Sequence, residues 1–218
     1  MQDKNQPAVV FHGDQGPCFF TFPALSGTGL CRHAFSTRLG GVSRGRYASL
    51  NLSFFMGDER EAVYENYRRL CGAIGVVTEA DAGKGIVRER DYQAVDGLIT
   101  NVPGLPLATL YADCVPLLFL DPVKKAVGCS HAGWKGTAAS IGRRTVEAMT
   151  RAYGSDPGDI LACIAPSIGP CCYEVDEPLR KAFTSIPDVD PEGLLVDKGN
   201  GKYMLNLWEA NRRILLAA

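Results

Sequence analysis

Two reactive side chains, Cys114 and His131, lie near the two ends of one largely apolar stretch of the chain. The stretch runs from residue 111 to residue 135 as an apolar run, a turn, a second apolar run and a glycine-rich exit into a helix. A thiol and an imidazole that meet could form a nucleophile–base pair or supply two ligands to one metal ion. What these side chains can do therefore depends on whether the chain brings them together.

The turn at Pro122 and Val123 predicts that this stretch folds as an antiparallel hairpin. Opposed residues of a hairpin have a constant index sum, and a turn centred on Pro122 and Val123 gives 245, which is also the sum for Cys114 and His131. The two side chains should then face each other with Cβ atoms about 5 Å apart. Pro116 interrupts the first strand, so a bulge there could shift the register by one and turn one side chain away.

The segment after the hairpin predicts a helix that begins close to His131. Thr137 is a favourable N-cap residue, and residues 138–152 follow with a helical apolar pattern. The free N–H groups at the start of such a helix attract anions, and Lys135 adds a positive charge beside them. We therefore predict an anion site at this end of the hairpin.

A second candidate anion site lies in a glycine-rich loop nearer the N-terminus. Arg38 follows a strand predicted over residues 31–37 and precedes two glycines at 40–41. Its guanidinium could hold an anion in a planar fork, and the alternative is a plain turn with a solvated arginine. Asn51 lies in a short strand predicted over residues 49–53, where its amide could order this loop.

The C-terminal part of the chain carries clear helix and strand signals. Its pattern predicts a strand over 160–165, a helix over 176–183, a loop over 186–200 and a last helix that Asn206 caps. Strands and helices mix along the chain without strict alternation. This predicts an α/β or α+β sandwich, with mixed β-sheets flanked by helices, in a single domain over residues 1–218.

The bulk composition excludes several classes of protein. The 218 residues have a net charge of −1 and no block of one sign, which argues against a nucleic-acid-binding face. The longest apolar runs fall short of the roughly 20 residues that span a bilayer, and the N-terminus lacks the layout of a signal peptide. We therefore expect a cytoplasmic monomer or weak homodimer that binds neither nucleic acid nor membrane.

Cysteine is abundant in this chain and histidine is scarce. Eight cysteines occur without the spacing of a structural zinc site, so most are expected to be buried thiols. The adjacent Cys171 and Cys172 could be a redox pair, although buried thiols beside a rigid turn are the favoured interpretation. The three histidines, His12, His33 and His131, limit any metal site.

Five sequence motifs, taken together and in this order, resemble the laccase-domain (YfiH-like) family. The resemblance runs from about residue 33 to about residue 212, which is most of the chain. The motifs are His-Ala-Phe-Ser-Thr-Arg-Leu-Gly-Gly-Val-Ser at 33–43, Ser-Leu-Asn-Leu at 49–52, Ala-Asp-Cys-Val-Pro at 112–116, His-Ala-Gly-Trp-Lys-Gly-Thr at 131–137 and Ile-Gly-Pro-Cys-Cys-Tyr at 168–173.

The resemblance implies an enzyme that acts on purine nucleosides. Members of the family were once called multicopper polyphenol oxidases and are now regarded as purine nucleoside phosphorylases. The resemblance implies phosphorolysis of adenosine, inosine, guanosine and methylthioadenosine to free base and ribose 1-phosphate, with adenosine deaminase activity as well. It also implies a layered fold similar to that of a CNF-type toxin deamidase, which carries a Cys–His pair.

The resemblance also implies a zinc site made by one cysteine and two histidines. On the matching motifs, Cys114 and His131 are two of the zinc ligands and form the catalytic centre. Arg38, Asn51 and Lys135 are then candidates for binding the nucleoside and phosphate.

Asp113 and the identity of the metal complete this interpretation. Asp113 either points to the opposite strand face from its neighbour Cys114 or orients a zinc ligand through its carboxylate. Zinc lowers the pKa of a bound water to about 7, which suits deamination. Copper is the less favoured metal because multicopper sites need many histidines.

One part of the family pattern is missing from this sequence. The family's other ligand histidine lies in a Gln-x-His motif between the first helix and the strand Asp-Gly-Leu-Ile-Thr, and here residues 75–95 contain no histidine. His33 could replace it, although a core histidine on an ordinary strand is the favoured interpretation. We expect that the sequence lacks a family segment near residues 76–77 and the family's C-terminal part.

Two other functions stay open on the sequence alone. A metal-free hydrolase or deamidase could use Cys114 and His131 as a dyad. A degenerate homologue that has lost part of its site would be a non-catalytic binding protein.

Overall fold

The computed structural model describes residues 9–14, 16–53, 56–74 and 95–218. The chain divides into two compact units. One unit comprises residues 1–91 and 102–106, and the other comprises residues 92–101 and 107–218. The prediction of a single domain stays a prediction, and the junction at residues 76–77 lies outside the described residues.

The first unit contains a three-stranded antiparallel sheet and one long helix. The sheet has the strand order β1-β2-β3, so each strand pairs with its neighbour in sequence. The elements are β1 (Val10–His12), β2 (Phe19–Thr21), α1 (Pro23–Ser26), β3 (Phe35–Ser36), a 3-10 turn (Gly45–Tyr47) and α2 (Arg60–Ile74).

The second unit contains two antiparallel sheets and four helices among its described residues. A four-stranded sheet has the order β4-β6-β5-β7, and a three-stranded sheet has the order β8-β10-β9. The strands are β4 (Gly97–Thr100), β5 (Val115–Asp121), β6 (Ala126–Ala132), β7 (Leu161–Ile164), β8 (Glu174–Asp176), β9 (Leu195–Gly199) and β10 (Lys202–Leu205), and the helices are α3 (Trp134–Ala138), α4 (Ile141–Tyr153), α5 (Glu177–Thr184) and α6 (Leu207–Leu216), with a 3-10 turn at Pro157–Asp159.

The core of the second unit is built on β5, which pairs along both of its edges. Leu117 and Phe119 of this strand are at most 2% exposed and belong to one cluster with Met149 of α4, Phe183 of α5 and Ile214 of α6. Burying such a side chain contributes about 1.5–3 kcal/mol. This packing makes the hairpin of β5 and β6 the fixed frame of the unit.

The α+β fold class is confirmed. The described strand pairs are antiparallel, and helices flank the sheets. The predicted strand at 160–165 corresponds to β7, and the predicted helix at 176–183 corresponds to α5. Asn206 caps α6 as predicted, because its side-chain oxygen accepts a hydrogen bond from Glu209 N at 3.0 Å.

Two element predictions are wrong. Residues 49–53 form no strand, because Ser49 N and Leu50 N both donate to the Arg38 carbonyl and the Ser49 carbonyl accepts from Ser43 N, which is not a strand ladder. The predicted loop at 186–200 contains β9, whose mostly exposed residues give no apolar alternation from which a strand could be inferred.

The helix after the hairpin begins earlier than predicted. The prediction placed its N-cap at Thr137, whereas α3 begins at Trp134 with Gly133 as its N-cap. Ser140 has a left-handed backbone with φ of 56°, which separates α3 from α4. Thr137 lies inside α3, where its hydroxyl donates to the Ala132 carbonyl at 3.1 Å.

The predicted register of the hairpin is also wrong, but by an even number of residues. Pro116 faces His131 and Asp121 faces Ala126, so the index sum is 247 and not 245. The turn occupies residues 122–125 and is longer than the two-residue turn that was assumed. An even shift keeps every side chain on its face of the sheet, so Cys114 stays on the face of His131.

Candidate functional site

The hairpin places Cys114 and His131 as diagonal neighbours on one face of the sheet. Cys114 comes directly before β5, and His131 is the next-to-last residue of β6. Continuing the ladder by one register step puts Gly133 opposite Cys114. Because Gly133 has no side chain, the space between the thiol and the imidazole stays open.

The thiol and the imidazole converge on this space. A Cβ atom on Gly133 would lie 3.0 Å from Cys114 Sγ and 3.5 Å from His131 Nε2. Both atoms therefore face a single point that no side chain of Gly133 fills. This is the arrangement expected of two donors that share one ligand.

Asp96 fixes the orientation of the His131 ring. Asp96 Oδ1 lies 3.4 Å from His131 Nδ1, and the Asp96 carbonyl accepts a hydrogen bond from His131 N at 2.7 Å. A carboxylate only accepts hydrogen bonds, so this pairing favours the proton on Nδ1 and leaves the lone pair on Nε2. The lone pair then faces the gap beside Gly133.

Tyr111 packs against the same imidazole. The rings of Tyr111 and His131 lie 5.5 Å apart at an angle of 64°, which is an edge-to-face contact. The Tyr111 hydroxyl donates to the Ser130 carbonyl at 3.1 Å. Burial is the main cause that raises the pKa of Tyr111, so this hydroxyl stays protonated and positions the ring.

The environment of Cys114 favours the neutral thiol. Burial raises the pKa of the Cys114 thiol, and the negative charge of the adjacent Asp113 raises it further. Burial and then the charge of Cys114 raise the pKa of Tyr173. A positive charge bound in the gap would oppose these effects and favour the thiolate.

Buried hydrogen bonds connect β6, which carries His131, and the following α3 to neighbouring helices. Ser130 and Thr145 are buried, and their hydroxyl oxygens lie 2.6 Å apart across β6 and α4. Asn211 of α6 donates to the Thr137 hydroxyl at 3.0 Å. These contacts fix the turn between His131 and α3.

Lys135 and Asp113 lie at the exposed edge of this site. The Lys135 ammonium lies 5.5 Å from the centre of the Trp134 ring, and both side chains are exposed. Asp113 is exposed, and its carbonyl accepts from Ile168 N at 2.9 Å. The carboxylate that reaches His131 is that of Asp96, so in the described residues Asp113 acts on Cys114 through its charge.

Arg38 and Asn51 belong to a loop network in the first unit. Arg38 Nη2 donates to the carbonyls of Arg46 and Ala48 at 3.2 and 3.0 Å. Asn51 Nδ2 donates to Asp58 Oδ2 at 2.8 Å, and Asn51 Oδ1 accepts from Ser53 N at 3.0 Å. The loop-ordering role that the sequence suggested for Asn51 is present, while substrate binding by either residue stays a prediction.

Asn66 is the centre of this network, and the sequence did not predict its role. It is fully buried, its side-chain oxygen accepts from Val42 N at 2.7 Å, and its amide donates to Ser43 Oγ and the Asn51 carbonyl, both at 2.8 Å. Asp58 Oδ2 also accepts from Ser43 Oγ at 2.6 Å. An asparagine inside an otherwise ordinary helix was the only signal for it.

His33 has the environment of a core histidine. Its Nε2 accepts a hydrogen bond from Phe22 N at 2.7 Å, and its ring lies 5.9 Å from the Phe22 ring. Burial lowers the pKa of His33, and this effect exceeds that of the hydrogen bond. Because Nε2 is engaged by the backbone, it is not free to bind a metal ion.

Two side chains of the second unit, Cys114 and His131, suit two of the three protein-ligand positions of a zinc site. The donor set is a thiol and an imidazole whose other nitrogen is paired with a carboxylate, as zinc-binding histidines usually are. No group of three or more His, Cys, Asp or Glu side chains that could hold a metal ion occurs in the described part of the chain. Cys114 and His131 therefore supply part of a site.

Asp96 and Gly133 are the site residues that sequence reasoning missed. Asp96 precedes β4, and only the pairing of β4 with β6 brings it across from His131. Gly133 looked like one glycine of a turn, and its importance follows from the atoms that surround it.

None of the described helices is long and apolar enough to cross a membrane.

Comparisons with known proteins identify the relatives of this chain. Residues 32–218 match the family described as multi-copper polyphenol oxidoreductase laccase. The chain is 38% identical to the purine nucleoside phosphorylase YlmD of Bacillus subtilis over 204 residues, which cover 84% of this chain and 72% of that protein. It is 32% identical to the purine nucleoside phosphorylase YfiH of Escherichia coli over 203 residues, covering 89% of this chain and 80% of that protein.

The fold is shared with a solved relative. The crystal structure of YfiH from Bacillus licheniformis superposes with a TM-score of 0.85 at 32% identity, covering 95% of this chain and 83% of that one. Motifs, fold and family match thus lead to one assignment. The chain belongs to the multi-copper polyphenol oxidoreductase laccase family, whose YfiH and YlmD members it resembles in sequence and fold.

Proposed function

We propose that this chain is a purine nucleoside phosphorylase that holds a zinc ion between Cys114 and His131. The observation that carries the proposal is the convergence of Cys114 Sγ and His131 Nε2 beside Gly133, at 3.0 and 3.5 Å from one point. Relatives named purine nucleoside phosphorylases support the class of reaction. The proposed substrates are adenosine, inosine, guanosine and methylthioadenosine with phosphate, and adenosine deamination is proposed as a second activity.

The metal ion and its ligands would have distinct tasks. When bound, zinc supplies a positive charge that polarises a substrate oxygen and lowers the pKa of a bound water to about 7. Asp96 accepts a hydrogen bond from His131 Nδ1 and so keeps the Nε2 lone pair directed at the gap. The edge of the Tyr111 ring limits the rotation of the imidazole.

Phosphorolysis also needs an anion site. A phosphate oxygen attacks the anomeric carbon of the ribose while the bond to the purine breaks, so phosphate must be held near the sugar. Lys135, in the first turn of α3, is the proposed positive charge in the second unit. Arg38 and Asn51 are proposed to contact substrate as well, in addition to their roles in ordering the loop.

The test is phosphorolysis by purified protein with a measured metal content. We expect free base and ribose 1-phosphate from nucleoside and phosphate, and loss of at least about 100-fold in kcat/KM for Cys114→Ala and His131→Ala. Cys163→Ala and His12→Ala are matched controls, because each removes the same side-chain type from another strand. Undiminished turnover by the Cys114 and His131 variants would contradict the proposal.

The metal-free dyad is the second candidate, since the same convergence would serve it. It is disfavoured because a nucleophilic cysteine needs a lowered pKa, and burial raises that of Cys114. Activity that survives chelation but is lost on thiol alkylation would favour the dyad. Absence of both bound zinc and nucleoside turnover would identify a non-catalytic homologue.

A further inference from the structure

The turn between β7 and β8 presents two adjacent cysteines to solvent. Cys171 and Cys172 are both exposed, which contradicts the expectation that they are buried thiols. The turn is closed by hydrogen bonds from Cys172 N and Tyr173 N to the Gly169 carbonyl, at 3.0 and 3.2 Å. The rigid turn was predicted, but it places both thiols at the surface and not in the core.

The two thiols point to the same side of the turn. Cys171 Sγ and Cys172 Sγ lie 3.0 Å apart, which is closer than ordinary van der Waals contact between two sulfur atoms. Among the described cysteines, only this pair is exposed; the others are buried or half-buried. The pair therefore needs little rearrangement to form a bond between its sulfur atoms.

We propose that Cys171 and Cys172 form a redox modification site, at which a peroxide converts the two thiols into a reversible disulfide between neighbouring residues. The first thiolate attacks the peroxide, so that an S–O bond forms, the O–O bond breaks and an alcohol or water leaves. The second thiol then attacks the resulting sulfenic acid, so that the S–S bond forms and water leaves. The two thiols lose two electrons and two protons, and the peroxide gains them.

Either thiol can attack first, because both are exposed and lie beside each other. Thiolate is the reactive form of cysteine, so the attacking residue is the one that is ionised when it meets the peroxide. The neighbouring thiol then closes the disulfide.

The bond would be easy to reduce. Adjacent Cα atoms are about 3.8 Å apart, whereas ordinary disulfides join Cα atoms about 4.4–6.8 Å apart. Strained and exposed disulfides are the labile ones. The site is thus suited to a reversible modification and not to a permanent structural bond.

The experiment maps the pair by mass spectrometry. Trypsin releases residues 152–180, which carry Cys163 as well as the pair, so Cys163→Ser is the background in which only the two neighbours can bond within this peptide. The reduced full chain is treated with hydrogen peroxide, freed of peroxide and alkylated. We expect the peptide to lose the mass of two hydrogen atoms, to resist alkylation and to regain both thiols after dithiothreitol.

Single substitutions separate this proposal from general oxidation. In both Cys171→Ser and Cys172→Ser the remaining thiol should stop at a sulfenic acid that dimedone traps, and the two-hydrogen loss should be absent. The proposal is overturned if both thiols stay fully alkylated after peroxide treatment, or if either is found joined to Cys114 or to a second molecule. Because the mapping needs no turnover, its outcome does not depend on the proposed enzymatic function.

Discussion

The polar side chains of the hairpin and those of the Gly40-Gly41 loop use their bonding capacity in opposite ways. In the hairpin, Cys114 Sγ and His131 Nε2 face a gap beside Gly133. Beside the loop, the side-chain amide of Asn66 on α2 makes hydrogen bonds to Val42, Ser43 and Asn51. Groups that form hydrogen bonds with neighbouring backbone and side chains support the fold, whereas groups directed at a gap are available to a ligand.

The largest expected effect comes from filling the gap. In Gly133→Ala the new methyl group would lie 3.0 Å from Cys114 Sγ and 3.5 Å from His131 Nε2, where a shared metal ion would bind. Gly133 has a φ of −63°, so alanine brings no backbone strain. We expect zinc affinity to fall at least about 100-fold, measured by competition with a chelating dye, while the unfolding free energy changes by less than about 1 kcal/mol.

Gly158→Ala is the matched control for the gap. Its methyl group would meet only Asp156 Oδ1, at an ordinary contact distance of 3.4 Å. Metal affinity and stability should both stay at the level of the unmodified protein. Equal zinc binding by Gly133→Ala and Gly158→Ala would show that zinc does not bind in the gap.

The next effect concerns the loop network and should spare the metal. Asn66→Ala removes three hydrogen bonds from a fully buried side chain and leaves Val42 N without its acceptor. At about 1 kcal/mol for each bond, the unfolding free energy in urea should fall by about 3 kcal/mol. Folded protein should keep its zinc content.

Asn101→Ala is the control, because Asn101 is exposed and its loss should change stability by no more than about 0.5 kcal/mol. Loss of zinc from folded Asn66→Ala protein would contradict the separation of the loop network from the metal site. The loop would then act on the site and not only on the fold.

The elements that sequence predicted well are those with local signals. Asp176 and Asn206 both cap helices, and their side chains accept from Leu179 N and Glu209 N. Cap residues act within one turn of the chain, so Asn206 could be recognised from the sequence, whereas Thr137 has the residue type of a cap but lies inside α3. The face shared by Cys114 and His131 was also predicted correctly, because an error of two in the register does not change the face.

The features that sequence could not supply depend on distant parts of the chain. Asp96 meets His131 only because β4 pairs with β6, and no local pattern encodes that partner. The register of the hairpin depended on the length of a turn that Pro122 made ambiguous. The exposure of Cys171 depends on how the chain packs around its turn, whereas cysteine by itself suggests burial.

A smaller effect is expected from changing the Asp96 carboxylate, which lies beside the hairpin. Asp96→Asn keeps the shape of the side chain but removes its charge, and the contact to His131 Nδ1 is long at 3.4 Å. Such partners contribute about 10–100-fold to metal affinity, and we expect the lower end here. Asp113→Asn is the control, because the Asp113 carboxylate is exposed and acts on Cys114 only through its charge. Equal losses in the two variants would mean that charge, and not the contact with His131, explains the effect.

The smallest expected effect is an acid sensitivity of the loop network. Hydrogen bonds from Asn51, from Ser43 and from the Glu59 backbone lower the pKa of Asp58. A carboxyl group whose pKa is lowered by folding stabilises the folded state at pH values above its unfolded pKa of about 3.9. This contribution to the unfolding free energy is lost as the pH falls through the pKa of the folded state. We therefore expect the unfolding free energy of the unmodified protein to fall more steeply below about pH 4 than that of Asp58→Asn. The measurement is a series of urea unfolding curves between about pH 3 and pH 6, and parallel curves for the two proteins would show that Asp58 does not link this network to pH.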